Sequence, residues 1–207
     1  MMMVKAVLFS VLLTCSWQAV ALQPEMQEEK RAAEYVNPFI GASTNVRDAG
    51  AYHGLGKTIP GATYPFGLVQ LSPNTITGGD NGSGYSDEHE SIEGFAFTQM
   101  SGIGWYGDLG NFLVMPTIGP MHTNSGKLEN PDAGYRSRYD KASEYARAGY
   151  YSVYLSDYRI RTEATVAQRA GMLRLTAGAE IHRQVSSFEG KHLGFFTEFE
   201  TTKDEEV

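Results

Sequence analysis

The sequence predicts an all-β fold, an antiparallel β-sandwich, on three observations. Short apolar or alternating runs recur along the chain, separated by Gly, Pro, Asn and Asp. There are no heptads, no fixed-period repeats and no low-complexity tracts. Of the 23 glycines, 17 fall between Gly41 and Gly126. The first half is therefore expected to make loops and the second half sheet, as in a sandwich that presents its N-terminal loops to a ligand.

The predicted strands are the runs that carry this periodicity. The clearest spans residues 158–166, where Ile160, Thr162 and Ala164 form an apolar or small face opposite a charged one. A period of two with one wet face is typical of an antiparallel strand that covers a core. The complete set of predicted strands is 68–71, 95–98, 112–115, 150–155, 158–166, 172–176 and 193–199.

The first residues read as an export signal. Lys5 precedes an apolar run at 6–13, and Ala19, Val20 and Ala21 form a small-x-small cleavage signal, so cleavage after Ala21 is predicted. The run is too short to span a bilayer, and no later run is long enough. An acylated Cys15 is the lipoprotein alternative. The predicted domains are a signal peptide at 1–21, a polar linker or short helix at 22–34, and a sandwich at 35–207.

Composition excludes several classes of function. The formal net charge of −7 argues against nucleic acid as a partner. Cys15 is the only cysteine, so a chain cleaved after Ala21 has no disulfide or thiol chemistry, and its stability must come from its core. No Ser-His-Asp or Cys-His arrangement can be argued, and among 24 acidic residues no general acid and base stand out.

A glycine-rich stretch at 78–119 is the strongest indication of a binding function. Glycines at 102, 104, 107 and 110 bracket Trp105, Tyr106 and Asp108, so two aromatic rings and a carboxylate are predicted to project from a tightly turned loop. Such a loop suits a polar ligand with a flat face, for example a sugar. Asp80 and Asn81, in another turn of this stretch, and His53, between glycines in an earlier loop, are further candidates for substrate binding.

Other motif matches in this region carry less weight. Residues 102–107 satisfy G-x-G-x-x-G, but a strand-like run follows where a dinucleotide site needs a helix. Residues 80–84 resemble a calcium loop but lack ligands at its third, fifth and twelfth positions. Residues 81–83 form a glycosylation sequon. The run Asp-Glu-His-Glu at 87–90 could bind a metal or simply decorate a surface turn.

Several blocks together resemble the N-terminal domain of glycoside hydrolase family 92. In chain order they read YVNPFIG at 35–41, GKTIPGATYPFGLVQLSP at 56–73, GYS at 84–86, MSG at 100–102, GDLG at 107–110, MPT at 115–117, YRSRY at 135–139 and AGYYSV at 148–153. The resemblance covers roughly residues 35–176, and the ordered set is far more specific than any one block.

The resemblance implies an exported, calcium-dependent, inverting exo-α-mannosidase of a Gram-negative bacterium, placed in the periplasm or at the cell surface. Its substrates would be mannose-terminated glycans, including N-glycans. In the family, the β-sandwich packs on a C-terminal (α/α)6 barrel that holds the catalytic acid and base and the calcium, so no catalytic or metal-binding residue is assigned in this chain. Trp105 matches the tryptophan that helps to form the subsite for the leaving-group sugar, a feature of α-1,2-mannosidases.

Two other interpretations stay open at this stage. The chain could be a stand-alone carbohydrate-binding module, or an inactive fragment whose barrel-facing surface is exposed. Lys57 also departs from the family pattern, because many members have His at this position.

Overall fold

The computed structural model describes residues 31–43, 58–76, 83–101, 112–177, 185–187 and 195–197. By the density of its contacts, the chain divides into residues 1–30 and 31–207, and all described residues belong to the second unit. Within the described residues, no helix is both long and apolar enough to cross a membrane. The predicted signal peptide lies outside the described residues.

The first sheet has four antiparallel strands in the order β1-β2-β4-β5. Its strands are β1 (Ala62–Thr63), β2 (Gln70–Asn74), β4 (Gly94–Ala96) and β5 (Leu113–Val114). The chain enters β1 through Gly61, where a Cβ atom would lie 2.3 Å from the carbonyl oxygen of Leu71. Only glycine allows the two backbones to approach so closely.

The second sheet is a meander with the order β10-β9-β8-β7. Its strands are β7 (Tyr145–Arg147), β8 (Tyr150–Leu155), β9 (Ile160–Val166) and β10 (Gly171–Ala177). Strand β9 pairs with β8 from Tyr150↔Thr165 to Leu155↔Ile160, and with β10 along its whole length. Because neighbouring strands in the chain also pair in space, short turns suffice to connect them.

Two smaller strand pairs complete the described fold. Strand β3 (Ser91–Ile92) pairs with β6 (Ser137–Arg138), and β11 (Val185–Ser187) pairs with β12 (Phe195–Thr197). Short 3-10 turns occupy Ala32–Tyr35, Pro131–Ala133 and Lys141–Ser143. All these strand pairs are antiparallel, so the predicted all-β antiparallel fold is confirmed.

The core lies between the two four-stranded sheets. Strands β1 and β2 face β8 and β9, and the most deeply buried side chains include Leu71, Phe95, Tyr151 and Leu155. Burying a side chain of this size contributes roughly 1.5–3 kcal/mol. In β9, Ile160, Thr162 and Ala164 point into this core, as the period-two pattern predicts.

The predicted strands agree with the structure best where the period-two pattern is long. The prediction at 150–155 matches β8, and those at 158–166 and 172–176 differ from β9 and β10 by one or two residues at their ends. The predictions at 68–71, 95–98 and 112–115 overlap β2, β4 and β5, and that at 193–199 contains β12. Strands β1, β3, β6, β7 and β11, each of two or three residues, were not predicted.

Candidate functional site

All six predicted substrate-binding residues lie in segments outside the described residues: His53 in 44–57, Asp80 and Asn81 in 77–82, and Trp105, Tyr106 and Asp108 in 102–111. Their roles stay predictions. The structure does describe the residues at which each segment leaves and re-enters the fold.

The segment 44–57 contains His53, and the segment 77–82 contains Asp80 and Asn81. The residues that flank one segment contact those that flank the other. Ser83 Oγ donates to the carbonyl oxygen of Thr58 at 3.1 Å, and Ile76 N donates to that of Gly84 at 3.2 Å. Thr58 N donates in turn to Gly41 O at 3.1 Å. These contacts bring the boundaries of both segments to one end of the first sheet, where β2 ends.

The segment with Trp105 is attached at the opposite end of that sheet. It leaves after Ser101, whose N–H donates to Gln70 Oε1 at 2.9 Å beside the start of β2. It re-enters at Phe112, directly before β5. The predicted site residues are therefore attached at two ends of the sheet, a division that the sequence does not reveal.

Thr75 and His89 hold the residues that follow the Asp80 segment. Thr75 Oγ1 accepts from Ser86 N at 2.9 Å and lies 2.9 Å from His89 Nδ1. Burial lowers the pKa of His89 below its ordinary 6.5, an effect that the cations Arg136 and Lys141 reinforce and Glu88 opposes. A neutral imidazole can accept the proton of the threonine hydroxyl or donate to its oxygen, so this hydrogen bond is kept by the uncharged form of His89 that burial favours.

The charged run 87–90 acts as structural support. Asp87 pairs with Lys141 at 3.1 Å, and Glu88 accepts from Ser86 Oγ at 2.7 Å and from Ser43 Oγ. The backbone of Asp87 donates to Ala42 O at 3.1 Å. Among the described residues, no group of three or more His, Cys, Asp or Glu side chains could hold a metal ion. The metal alternative for this run therefore gains no support.

The buried side chain of Arg136 holds the end of β2 in place. Arg136 Nη1 donates to Thr75 O at 2.6 Å and lies 3.4 Å from Ser91 O, while Nη2 lies 3.5 Å from the Glu93 carboxylate. Both charged side chains are almost completely buried. The guanidinium thus neutralises a buried carboxylate and orients the strand end from which the Asp80 segment departs.

An open pocket of about 270 Å³ lies beside this ion pair. Its walls are Ile76, Glu93, Arg136 and the turn at 125–129, which contributes Lys127 and Glu129. Buried Arg136 Nε has no hydrogen-bond partner among the described residues. The pocket therefore has both acidic and basic side chains in its walls and lies next to the Asp80 segment. Such a lining suits a small polar ligand.

A second buried carboxylate connects strand β8 of the second sheet to the loop before β3. Glu144 accepts from Tyr85 Oη at 2.8 Å, from Tyr151 Oη at 2.7 Å and from Lys141 Nζ at 3.2 Å. Burial, and then the Glu144 charge, raise the pKa of both tyrosines well above 10. Burial likewise raises the pKa of Tyr139 to about 12. These hydroxyls stay protonated and act as donors, so the cluster is structural.

The outer face of the second sheet is rich in tyrosine and arginine. Tyr145 and Tyr154 are 53% and 39% exposed, and the Arg147 guanidinium lies 5.2 Å from the centre of the Tyr150 ring. Glu163 accepts from Tyr150 Oη and, at 2.7 Å, from Arg174 Nε. Exposed rings beside charged hydrogen-bonding groups can stack on sugars and bind their hydroxyls.

The chain matches a known family of protein domains. Residues 35–186 match the model of the glycosyl hydrolase family 92 N-terminal domain. The chain belongs to glycosyl hydrolase family 92. The resemblance carried by the ordered sequence blocks is thus confirmed, and the matched region contains both four-stranded sheets.

Solved structures of family 92 and a curated glycosidase are similar to the chain. The chain is similar to the α-mannosidase BT3965 of Bacteroides thetaiotaomicron, with 41% identity and a TM-score of 0.65 over 73% of this chain and 19% of that one. A structure of BT3965 with mannoimidazole gives 40% identity and a TM-score of 0.65 over 73% and 18%. An uncharacterized secreted glycosidase of Arthroderma benhamiae is 27% identical over 70% of this chain and 17% of its own length. The chain thus spans about a fifth of these relatives.

Sequence reasoning missed the buried polar residues that shape the described part of the site. The buried charged residues are Arg136, Glu93 and Glu144. Charged side chains are usually exposed, and the residues next to them in sequence give no sign that they are buried. A signal was available for Arg136 alone, because it belongs to the family block at 135–139.

Proposed function

We propose that the chain is the N-terminal, substrate-shaping domain of a calcium-dependent, inverting exo-α-mannosidase that acts on mannose-terminated glycans and prefers α-1,2 linkages. The supporting observation is the 41% identity to the α-mannosidase BT3965 over 73% of this chain. The BT3965 complex with mannoimidazole supports a mannose-like substrate, and the secreted fungal relative supports export.

Hydrolysis with inversion needs one carboxylic acid to protonate the leaving oxygen and one carboxylate to activate water, with the two groups about 6.5–9.5 Å apart. We place that pair in the C-terminal barrel that the family resemblance implies. We place the calcium site in the same barrel, as the family resemblance implies. The role left to this domain is to shape the pocket on the leaving-group side.

Trp105 is the residue proposed to act there. Its indole would stack on the sugar that departs, and such a contact is worth roughly 1–3 kcal/mol, or about 10- to 100-fold in kcat/KM. Tyr106 and Asp108 belong to the same segment and would supply hydrogen bonds around this pocket. Asp80, Asn81 and His53 belong to segments attached at the opposite end of the first sheet, and they stay candidates for substrate binding.

The experiment replaces the matched N-terminal part of BT3965 with residues 35–177 of this chain and compares Trp105→Ala with Trp105→Phe. We expect Trp105→Ala to lower kcat/KM about 10- to 100-fold for α-1,2-mannobiose but little for an aryl mannoside, whose activated leaving group needs no subsite. The phenylalanine variant should keep most of the activity. An equal loss on both substrates, with a lower melting temperature, would assign Trp105 to the core instead.

The outer face of the second sheet supports a second candidate function, glycan binding without catalysis. Tyr145 and Tyr154 are exposed there beside arginine side chains. If this function is correct, the 207-residue chain binds mannan, and a Tyr145→Ala, Tyr154→Ala double variant loses binding while a variant at exposed Tyr64 does not. Release of mannose by the unaltered chain would contradict both candidates, since neither assigns it a catalytic pair.

A further inference from the structure

The second sheet turns one face to the core and the other face outward. Tyr151, Val153 and Ala164 belong to the core, so the side chains that alternate with them in β8 and β9 point away from it. Strand pairing extends this outward set to β7 and β10. Its aromatic and charged members, here called the tyrosine-arginine face, are Tyr145, Arg147, Tyr150, Tyr154, Arg161, Glu163 and Arg174.

The tyrosine-arginine face has an excess of positive charge. Glu163 is its one carboxylate, and Arg174 Nη2 already pairs with it at 2.6 Å. Arg147 and Arg161 are exposed, and within the described residues neither forms a salt bridge. The whole chain has a formal net charge of −7, so the excess is a local property of this face. Two guanidinium groups are therefore available to an anion.

The rings on this face both orient a cation and offer surfaces for stacking. The Arg147 guanidinium lies 5.2 Å from the centre of the Tyr150 ring, and the Tyr150 and Tyr145 ring centres are 6.1 Å apart. Contact with a ring restrains the planar guanidinium and leaves the N–H groups at its edge able to bind a carboxylate. Tyr145 and Tyr154 are exposed, so their rings can stack on sugars.

The two available arginines lie far apart on the face. Arg147 pairs with Tyr150 across β7 and β8, and Arg161 pairs with Tyr154 across β9 and β8. With strands about 4.8 Å apart and a rise of about 3.4 Å per residue, the Cα atoms of the two arginines are roughly 17 Å apart. Cations at that separation match charges repeated along an extended polymer better than a single small anion.

We infer that the tyrosine-arginine face binds an acidic polysaccharide, a chain of sugars that carry carboxylate groups. The inference rests on the glycan-binding candidate proposed above and specifies the charge of its ligand. Carboxylates match the bidentate fork of arginine, and sugar rings match the exposed tyrosines. An acidic peptide would match the arginines alone. The face belongs to the second sheet, whereas the Trp105 segment leaves and re-enters at the first, so the two binding functions are separate.

The test titrates the 207-residue chain with hexamannuronate and with β-1,4-mannohexaose, which has the same backbone without carboxylates. We expect hexamannuronate to bind at least about 10-fold more tightly, and its binding to weaken as the salt concentration rises. Arg147→Gln together with Arg161→Gln should weaken hexamannuronate binding about 10- to 100-fold and leave mannohexaose binding unchanged. Arg31→Gln with Lys127→Gln is the matched control, because it removes two exposed charges outside the second sheet.

Two further variants separate the roles of charge, geometry and stacking. Arg147→Lys with Arg161→Lys keeps both charges but loses the planar forks, so its affinity for hexamannuronate should be intermediate. This variant also gives an answer if the glutamine variant fails to fold. Tyr145→Ala with Tyr154→Ala should weaken the binding of both oligosaccharides, because stacking does not depend on the carboxylates.

The outcomes distinguish this inference from the functions proposed above. Mannohexaose binding that depends on the tyrosines, without a preference for hexamannuronate, would support the glycan-binding candidate and overturn the inference. Hexamannuronate binding that survives the arginine changes would also overturn it, as would equally tight binding of poly-glutamate, since the face would then recognise an acidic peptide. A chimera that fails to cleave α-1,2-mannobiose contradicts the mannosidase function alone, because none of these binding measurements involves hydrolysis.

Discussion

Arg136 Nη1 donates to the carbonyl oxygen of Thr75 at 2.6 Å, across 61 positions of sequence. The contact ties the last described residues before the Asp80 segment to the start of β6. Arg136 also pairs with the buried carboxylate of Glu93. One side chain therefore neutralises a buried charge and positions the end of β2.

Replacing Arg136 with Met should strongly destabilise the domain. The change removes the cation that faces Glu93 and a donor to Thr75, and breaking a buried ion pair costs about 3–5 kcal/mol. Arg138→Met is the matched control, because Arg138 pairs with Asp132 and Asp157 at the surface, where solvent screens the pairs and the change should have a much smaller effect. Urea unfolding of both variants checks the prediction, and equal effects would contradict it.

Glu144→Gln should lower the free energy of unfolding by about 1–3 kcal/mol. Tyr85 and Tyr151 donate to one carboxylate oxygen and Lys141 to the other, so the amide NH2 group of glutamine must face either the two buried hydroxyls or the lysine cation. Asp87→Asn changes an exposed partner of the same lysine and should cost no more than about 1 kcal/mol. A larger loss for Asp87→Asn than for Glu144→Gln would show that the buried cluster is not the stabilising part.

The stability of the domain should decrease as the pH falls below about 6.5. His89 has a lowered pKa in the folded state, so the unfolded chain binds the proton more readily. The stabilisation is therefore complete above 6.5, the ordinary pKa of histidine, and is lost as the pH falls from there towards the folded-state value. Chemical unfolding between pH 5 and 8 measures the slope. His89→Gln should flatten it.

The sequence predicts the sheets of this protein better than its site. Residues 150–155 and 158–166 alternate long enough for their period to define β8 and β9. Glu163 shows the limit of that pattern: it occupies an outward position, where a charge is expected to be solvated, yet it is almost completely buried. Neighbouring strands cover it with Tyr150 and Arg174, and such cross-strand contacts depend on register, which no local pattern encodes. Arg136 and Glu144 are buried by distant residues for the same reason.

Tyr150 and Arg174 both lower the pKa of Glu163. A hydrogen bond from Tyr150, and then the bond and charge of Arg174, hold the pKa of this carboxyl below its ordinary 4.5, while burial opposes them. This stabilisation is present above pH 4.5 and is lost as the pH falls through the lower folded-state pKa.

Tyr150→Phe and Arg174→Met should therefore each raise the Glu163 pKa, as measured by an NMR titration of its carboxyl carbon. Arg161→Met should change it least, because Arg161 acts on the carboxylate only through its charge. If Tyr150→Phe leaves the pKa unchanged, the tyrosine hydroxyl does not donate to Glu163 in solution. The lowered pKa of Glu163 would then have to come from Arg174 and Arg161 alone.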